Sequence, residues 1–298
     1  MPKTTPNGNN GKKIRKAILP VAGFGTRFLP ATKAQPKEML PVVDKPAIQY
    51  LVEEAVASGI KEIIFITGRG KRAIEDHFDV SYELEDTLVE KNKHELLKEV
   101  QRISSLAKFS YVRQPKPLGD GHALLQAKHL VGREPVVVIF GDCLYDSKVP
   151  TVKQLIDTYE KYHASIIGLA KIERKETSKF GVIDGKQIEH KVYGISDIVE
   201  KPAPEKAPST LVAVGKYIIT PEVFNIIENM PFDKSGEKRL ADAFAILLKK
   251  KLPIYGRVFD GEWLDTGDKF NFVKATIKLG LKHPEIGEKL KRFIKELK

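Results

Sequence analysis

The sequence predicts an α/β protein with a mixed, mostly parallel central sheet flanked by helices and a smaller β-rich region in its second half. Three observations carry that expectation. Short apolar runs alternate with helically spaced apolar residues through the first half. The first of these runs breaks directly into a Gly-rich turn. Beyond Ala164 the pattern changes to several short β runs separated by Pro and Lys.

In chain order, Lys16 to Val21 (KAILPV) reads as the first strand. Pro46 to Ala57 carries Ile48, Leu51, Val52, Ala55 and Val56 at helical spacing, and Gly59 ends that helix. Glu62 to Thr67 (EIIFIT) is a second buried strand. A helix is expected around Ala73 to Phe78 and a longer one around Leu84 to Ile103. Phe109 to Val112 is a strand, His122 to Leu130 a helix, and Pro135 to Phe140 a strand. Ala164 to Ala170 is a strand, followed by the β runs GVID, SDIVEK and LVAVGKYII. Helices follow at Pro221 to Asn229 and Leu240 to Lys249, then a strand near Ile254 to Phe259 that leads into Trp263–Gly267, and helices finish the chain. With no repeat and no linker-like shift in composition after residue 13, residues 14–298 read as a single domain behind a disordered tail, 1–13.

The 298 residues are 42% apolar, enough for a sizeable core. No apolar run reaches the ~18 to 20 residues of a membrane span. The N-terminal stretch lacks the apolar segment of a secretory signal. The single cysteine, Cys143, excludes an internal disulfide and a multi-cysteine zinc site, so a cytoplasmic location is expected. The formal net charge of +11 is compatible with phosphate-bearing partners. Lys and Glu alternate over much of the chain, however, and no basic stripe is interleaved with aromatics. Neither nucleic acid nor membrane is expected as a partner.

The richest stretch is Leu19 to Tyr50, LPVAGFGTRFLPATKAQPKEMLPVVDKPAIQY. Gly23 and Gly25 follow the first strand and permit close approach of backbone N–H groups to an anion. Arg27, Lys33 and Lys37 follow. Backbone donors, a guanidinium fork and an ammonium point charge suit a triphosphate. By itself, Gly-x-Gly after a strand is more often an ordinary βα turn. There is no GxxxxGK[ST], which excludes a P-loop, and no third glycine at dinucleotide spacing. Asp142 follows the apolar run VVVIF, at the strand end where open α/β sheets bind ligands, and a hard carboxylate there suits Mg²⁺.

Taken whole, the Leu19–Tyr50 string resembles the signature of the sugar-1-phosphate nucleotidyltransferases. PATKAQPKEMLPVVDKPAIQYLVEEA is most similar to the bacterial UTP–glucose-1-phosphate uridylyltransferases, and the resemblance runs to about residue 282. It implies the Rossmann-like nucleotide-diphospho-sugar transferase fold, a Mg²⁺ cofactor, UTP and glucose 1-phosphate as substrates, and a homo-oligomer, dimer or tetramer. By resemblance, Ala22 and Gly23 contact the base and ribose, and Gly25 and Thr26 the phosphates. Arg27 holds the β- and γ-phosphates, and Lys37 stands against the α-phosphate. Gln114 reads the pyrimidine through its amide, with Gly119 and Gly121 letting the base lie on the backbone. Asp142 and Asp265, the latter in EWLDTGD, hold the metal, with Asp146 a loop residue and Asp268 a helix cap. Lys201 binds the sugar phosphate and Glu200 the sugar hydroxyls. The backbone of Gly181 lies against the sugar, and the strand segment Val214-Gly215-Lys216-Tyr217 lines the pocket.

Three departures from the family stand out. Phe140-Gly141-Asp142 replaces the Leu-Pro-Asp common in uridylyl members, and Phe180 replaces a tyrosine. Lys238-Arg239 and Ala241 replace Ile-Gln and Thr at the sugar end. The implied chemistry needs no general base, because the nucleophile is already a phosphate oxygen; it needs two repelling anions aligned and their charge neutralised. The rival readings are a glucose-1-phosphate thymidylyltransferase, whose substrate differs from UTP at the base by one methyl, and a non-catalytic nucleotide-sugar-binding regulator.

Overall fold

The computed structural model describes residues 13–297, so the tail expected at 1–13 lies, but for Lys13, outside the described residues. The chain runs β1 (Lys16–Pro20), β2 (Pro41–Val42), β3 (Lys45–Pro46), α1 (Ala47–Ala57), β4 (Glu62–Thr67), α2 (Arg72–Phe78), α3 (Tyr82–Glu90), α4 (His94–Ser104), β5 (Lys108–Arg113), α5 (Asp120–Gln126), α6 (Lys128–Val131), β6 (Val136–Ile139), β7 (Cys143–Asp146) and α7 (Thr151–Tyr162). It continues through β8 (Ser165–Lys171), β9 (Gly181–Glu189), β10 (Val192–Glu200), β11 (Leu211–Ile219), α8 (Pro221–Asn229), α9 (Leu240–Lys249), β12 (Ile254–Val258), β13 (Glu262–Asp265), α10 (Lys269–Gly280) and α11 (Gly287–Glu296).

Among the described residues, nine strands form one sheet in the order β5-β4-β1-β6-β11-β8-β12-β10-β9. The half built from β5, β4, β1 and β6 is parallel. Strand β11 then runs antiparallel to both β6 and β8, and β9 and β10 pair as an antiparallel hairpin at the far edge. The sheet is therefore mixed, with its parallel character concentrated in the first half of the chain. Its strands bury both faces. On β1, Ala17 and Leu19 face one core with Ile48, Leu51, Val152 and Leu155 of α1 and α7. Ile18 faces the other with Leu124, Val223 and Phe244 of α5, α8 and α9. Helices on both faces explain why β1, β4 and β6 read as continuous apolar runs rather than alternating ones.

Several expected elements differ in detail. The single long helix expected at Leu84 to Ile103 is two helices, α3 and α4. The chain turns at Asn92, whose φ of 52° is the left-handed conformation that asparagine tolerates. The helix expected at His122 to Leu130 begins earlier, at Asp120, and divides at Ala127 into α5 and α6. Helix α7 was not anticipated, although Val152, Leu155, Ile156 and Tyr159 are spaced for one buried face. The short strands β7 and β13 were not anticipated either, and they pair with each other as a separate two-stranded ribbon.

One buried ion pair ties these layers together behind the sheet. Lys216 of β11 is fully buried, and its ammonium donates to Glu54 Oε2 of α1 at 2.6 Å and to Thr151 Oγ1 of α7 at 2.8 Å. Glu54 Oε1 also accepts from the Val152 N–H at 3.0 Å, at the N-terminus of α7, where the helix dipole favours an anion. The expectation that the whole Val214–Tyr217 segment lines a pocket is thus corrected for Lys216. Alternation along β11 turns its side chain to the opposite face, toward α1 and α7. Lys216→Met should lower stability by about 3 kcal/mol, because it leaves Glu54 buried without its cation. The effect is read as a lower urea midpoint with an unchanged denaturant slope.

Candidate active site

The carboxyl ends of the parallel strands form one edge, and the chain leaves each strand there with residues the sequence had singled out. Ala22 and Gly23 follow β1, Gln114 follows β5, and Asp142 follows β6. Gly68 follows β4, and a Cβ there would stand 3.0 Å from the Ala22 carbonyl oxygen, so the two loops touch. Gly25 has φ of 65°, and a Cβ on it would come within 3.1 Å of Lys37 Cβ. Only glycine meets both conditions without strain. Thr32 Oγ1 donates to the Gly25 carbonyl at 2.7 Å and folds the loop back on itself. Three short 3₁₀ turns follow, with Thr26 and Arg27 on the first and Lys37 on the third.

The β7–β13 ribbon joins the distant acidic residues. Cys143 pairs in register with Asp265. Thr266 donates to the Asp142 carbonyl through both N–H, at 3.0 Å, and Oγ1, at 3.2 Å. Gly267 then sits between the two carboxylates. A Cβ there would lie 2.9 Å from Asp265 Oδ1, 3.1 Å from Asp142 Oδ2 and 3.3 Å from an Arg27 guanidinium nitrogen. Arg27 donates to the Gly267 carbonyl at 3.1 Å, and Lys37 Nζ donates to Asp142 Oδ2 at 2.7 Å. Burial pushes the Asp265 pKa up, the Gly267 N–H opposes it at 2.8 Å, and the neighbouring charges of Asp142 and Asp268 add to the rise. Burial alone would lower the Lys37 pKa, but Asp142 and Glu38 outweigh it and hold the ammonium above its ordinary value.

Two carboxylates crowded around Gly267, one of them with its pKa raised by burial, suit a divalent cation, which relieves their repulsion. Among the described residues no cluster of three or more His, Cys, Asp or Glu side chains forms a metal cage. A two-carboxylate site leaves coordination positions for water and phosphate oxygens, the habit of Mg²⁺. Behind this corner, Glu38 is buried and paired with buried Lys71 at 2.8 Å. A Cβ on Gly141 would meet Glu38 Cγ at 2.8 Å, so the Lys37 turn lies directly against the Asp142 loop.

Arg27, Asp142 and Asp265 line a cavity of about 250 Å³ that also meets Gly181, Glu200, Lys201 and Gly215. Phe180 and Trp263 form part of its wall, their ring centroids 5.2 Å apart. Gly215 has φ of 74°, and a Cβ there would strike Cys143 Sγ at 2.6 Å. Lys201 adopts φ of 46°, a left-handed backbone that side chains rarely take, and its N–H donates to the Phe180 carbonyl at 3.0 Å. Cys143 is buried and its thiol donates to backbone carbonyls, and burial drives its pKa up, so it is a packing residue and no nucleophile.

The residues expected to meet the base, Gln114, Gly119 and Gly121, are not in the lining of this cavity. Gln114 Nε2 donates to the Gly119 carbonyl at 3.0 Å and lies 3.2 Å from His122 Nδ1. Gly119 and Gly121 face the backbone of Lys238, where added Cβ atoms would approach its carbonyl oxygen at 2.4 and 2.9 Å. Close backbone approach is thus one reason for glycine at both. Lys238, a departure from the family, turns away from the site and donates to the Ile227 and Glu228 carbonyls at the end of α8, at 2.8 and 2.7 Å. An ammonium at a helix C-terminus is favourably placed. Arg239 pairs with Asp233 and Glu237 in the same turn.

Asp268 caps α10, accepting from the Asn271 N–H at 2.9 Å as the sequence led us to expect. Asp146 closes β7 rather than sitting in a loop, and pairs with Lys282. The cavity lining also includes Asp120, Lys179 and Trp263, which the sequence reading does not place in the site. The position of Asp120 between two glycines was the available signal.

The comparisons follow the same lines. The family model described as nucleotidyl transferase matches residues 16–280. The chain is 47% identical over 286 residues to the UTP–glucose-1-phosphate uridylyltransferase YngB of Bacillus subtilis strain 168, covering 96% of each chain. Its fold is similar to a solved UDP-glucose pyrophosphorylase complexed with UDP-glucose, with a TM-score of 0.83, 43% identity, and coverage of 91% of this chain and 100% of that one. It is also similar to a UTP-bound UGPase from Acinetobacter baumannii, with a TM-score of 0.89, 40% identity, and coverage of 96% and 100%.

The raised Asp265 pKa has a measurable consequence. A carboxyl whose folded pKa lies above its unfolded value supports folding when protonated, and that support is lost as pH rises through the folded pKa. Asp265→Asn removes this cost while keeping an acceptor for the Gly267 N–H. In metal-free buffer its urea midpoint should exceed the wild-type value at pH 7. The difference should vanish at pH 3, below the ordinary carboxylate pKa of 3.8.

Proposed function

We propose that this chain, which belongs to the nucleotidyl transferase family, transfers the uridylyl group of UTP to glucose 1-phosphate and releases UDP-glucose and pyrophosphate. One observation carries the reading. Arg27, Lys37, Asp142 and Asp265 converge at one end of a cavity whose walls carry Gly181, Glu200 and Lys201. The names of the relatives, a uridylyltransferase and pyrophosphorylases solved with UTP or UDP-glucose, favour uracil over thymine as the base.

The phosphate oxygen of glucose 1-phosphate attacks the α-phosphorus of UTP in line, and the bond to the β-phosphate oxygen breaks as pyrophosphate leaves with its electron pair. Arg27 holds the β- and γ-phosphates, and Lys37 neutralises charge at the α-phosphorus. Lys201 draws in the sugar phosphate. Glu200 accepts sugar hydroxyls, and the backbones of Gly181 and Gly215 shape the sugar pocket. Ala22 and Gly23 support the base and ribose, and Gly25 and Thr26 lie along the phosphates. Gln114 reads the uracil edge, with Gly119 and Gly121 beneath the base. The family uses a divalent metal. Here Asp142 and Asp265 would hold Mg²⁺, which supplies charge neutralisation between the two substrates.

No proton has to be abstracted, so rate comes from alignment and charge. We infer a homo-oligomeric, cytoplasmic protein. No described helix is long and apolar enough to cross a membrane, and Phe270, Val273 and Ile277 of α10 offer exposed apolar surface for self-association. Pyrophosphate release with Mg²⁺ and glucose 1-phosphate should be faster with UTP than with dTTP. Lys37→Ala should lower kcat by about 10²-fold or more. Preference for dTTP would move the protein to the thymidylyl branch. Binding of UDP-glucose without turnover would make it a regulator.

A further inference from the structure

Asp120 lines the same cavity as Glu200, Tyr217 and Leu240, although it opens α5, beside Gly119 and Gly121. Its Oδ1 accepts two backbone hydrogen bonds, from Gly121 N–H at 2.7 Å and from Leu240 N–H at 2.9 Å. Leu240 opens α9, so one oxygen clamps the start of α5 to the start of a helix more than a hundred residues away. Among the described residues Oδ2 makes no hydrogen bond. It is the oxygen left for the cavity. Burial raises the Asp120 pKa despite those two N–H groups, and Glu200 and Glu237 raise it further. The charge of Glu200 therefore reaches Asp120 across the pocket they both line.

We propose that Asp120 is a specificity residue for the sugar, its Oδ2 accepting a hydrogen bond from a hydroxyl of the hexose opposite Glu200. The proposal rests on the reaction proposed above and deepens it. Two acidic groups in one small cavity favour a neutral polyol, whose hydroxyls donate to both. They disfavour a hexuronate whose carboxylate faces them in place of a hydroxyl, a repulsion that Lys201, 3.5 Å from Glu200 Oε1, offsets only in part. A ribose hydroxyl shares this donor chemistry. The hexose is favoured because the cavity is the one that meets Gly181 and Lys201, whereas Ala22, Gly23 and Gln114 stand outside its lining. A pocket that bonds a hydroxyl discriminates strongly against an analogue without it, because its own polar group is left unpaired.

The test uses the full chain, its Asp120→Asn and Asp120→Leu variants, and steady-state kinetics. Sugar substrates are glucose 1-phosphate, its 2-, 3-, 4- and 6-deoxy analogues, and glucuronic acid 1-phosphate, all at saturating UTP. UTP and dUTP are compared at saturating glucose 1-phosphate. Asparagine keeps an oxygen for the two N–H groups, so the clamp between α5 and α9 survives in Asp120→Asn. Wild-type protein should use one deoxy analogue about 10- to 100-fold less well than glucose 1-phosphate, and Asp120→Leu should erase that difference. Both variants should raise KM for glucose 1-phosphate, leave the UTP/dUTP ratio unchanged and narrow the discrimination against the hexuronate. Equal losses for every sugar, or a lost UTP/dUTP preference, would overturn the proposal. If Asp120→Leu does not fold by circular dichroism, Asp120→Asn decides by the same ratios. If wild-type protein makes no UDP-glucose, the reaction reading fails first. Calorimetry then decides, since Asp120→Asn should weaken UDP-glucose and not UDP.

Discussion

The pairing of β7 with β13 is the constraint on which the site depends. It sets Asp142 and Asp265 on either side of Gly267, where any side chain would collide with one carboxylate or the other. Holding two acids this close in a buried corner costs free energy: burial raises the Asp265 pKa, and the charge of Asp142 adds to the rise. The surroundings offset part of that cost. Lys37 lies on Asp142, Arg27 lies across Gly267, and the Gly267 N–H caps Asp265. Such an arrangement would be relieved by a cation and phosphates, and crowded charges of this kind are common at functional sites.

Buried cations build the platform behind it. Glu38–Lys71 stands beneath the Lys37 turn, and Glu54–Lys216 sits beneath β11. Paired charges of this kind contribute little net stability against an apolar core. They do demand one arrangement, because each partner is left buried and alone if the elements shift. Both pairs join segments far apart in sequence, so the loop with Lys37 and the strand with Gly215 are held relative to helices on the same face. Asp120 does similar work from the opposite face, tying α5 to α9.

Much of this was legible in the residues. The parallel half of the sheet was readable because β1, β4 and β6 are buried on both faces and appear as unbroken apolar runs. The Gly23–Lys37 loop was readable because its glycines, basic residues and prolines form a long specific string. The β7–β13 ribbon was not, since CLYD and EWLD are four residues each and their pairing is a property of the folded chain. Helix α7 had a clear apolar face that was not recognised. The break at Asn92 was hidden by apolar spacing that continues across it. Lys238 could not be assigned from sequence because its role, closing the end of α8, depends on where α8 lies.

We propose that Asp142 and Asp265 form one metal site that is completed by the nucleotide. Mn²⁺ binding followed by electron paramagnetic resonance tests it directly, with and without UTP, in wild-type protein and in the Asp142→Asn and Asp265→Asn variants. One Mn²⁺ should bind per chain, more tightly with UTP present. Either substitution should weaken it by about 10-fold or more while the protein remains folded. Unchanged Mn²⁺ affinity in Asp265→Asn would contradict the account, because the ribbon would then join two carboxylates that do not share a cation.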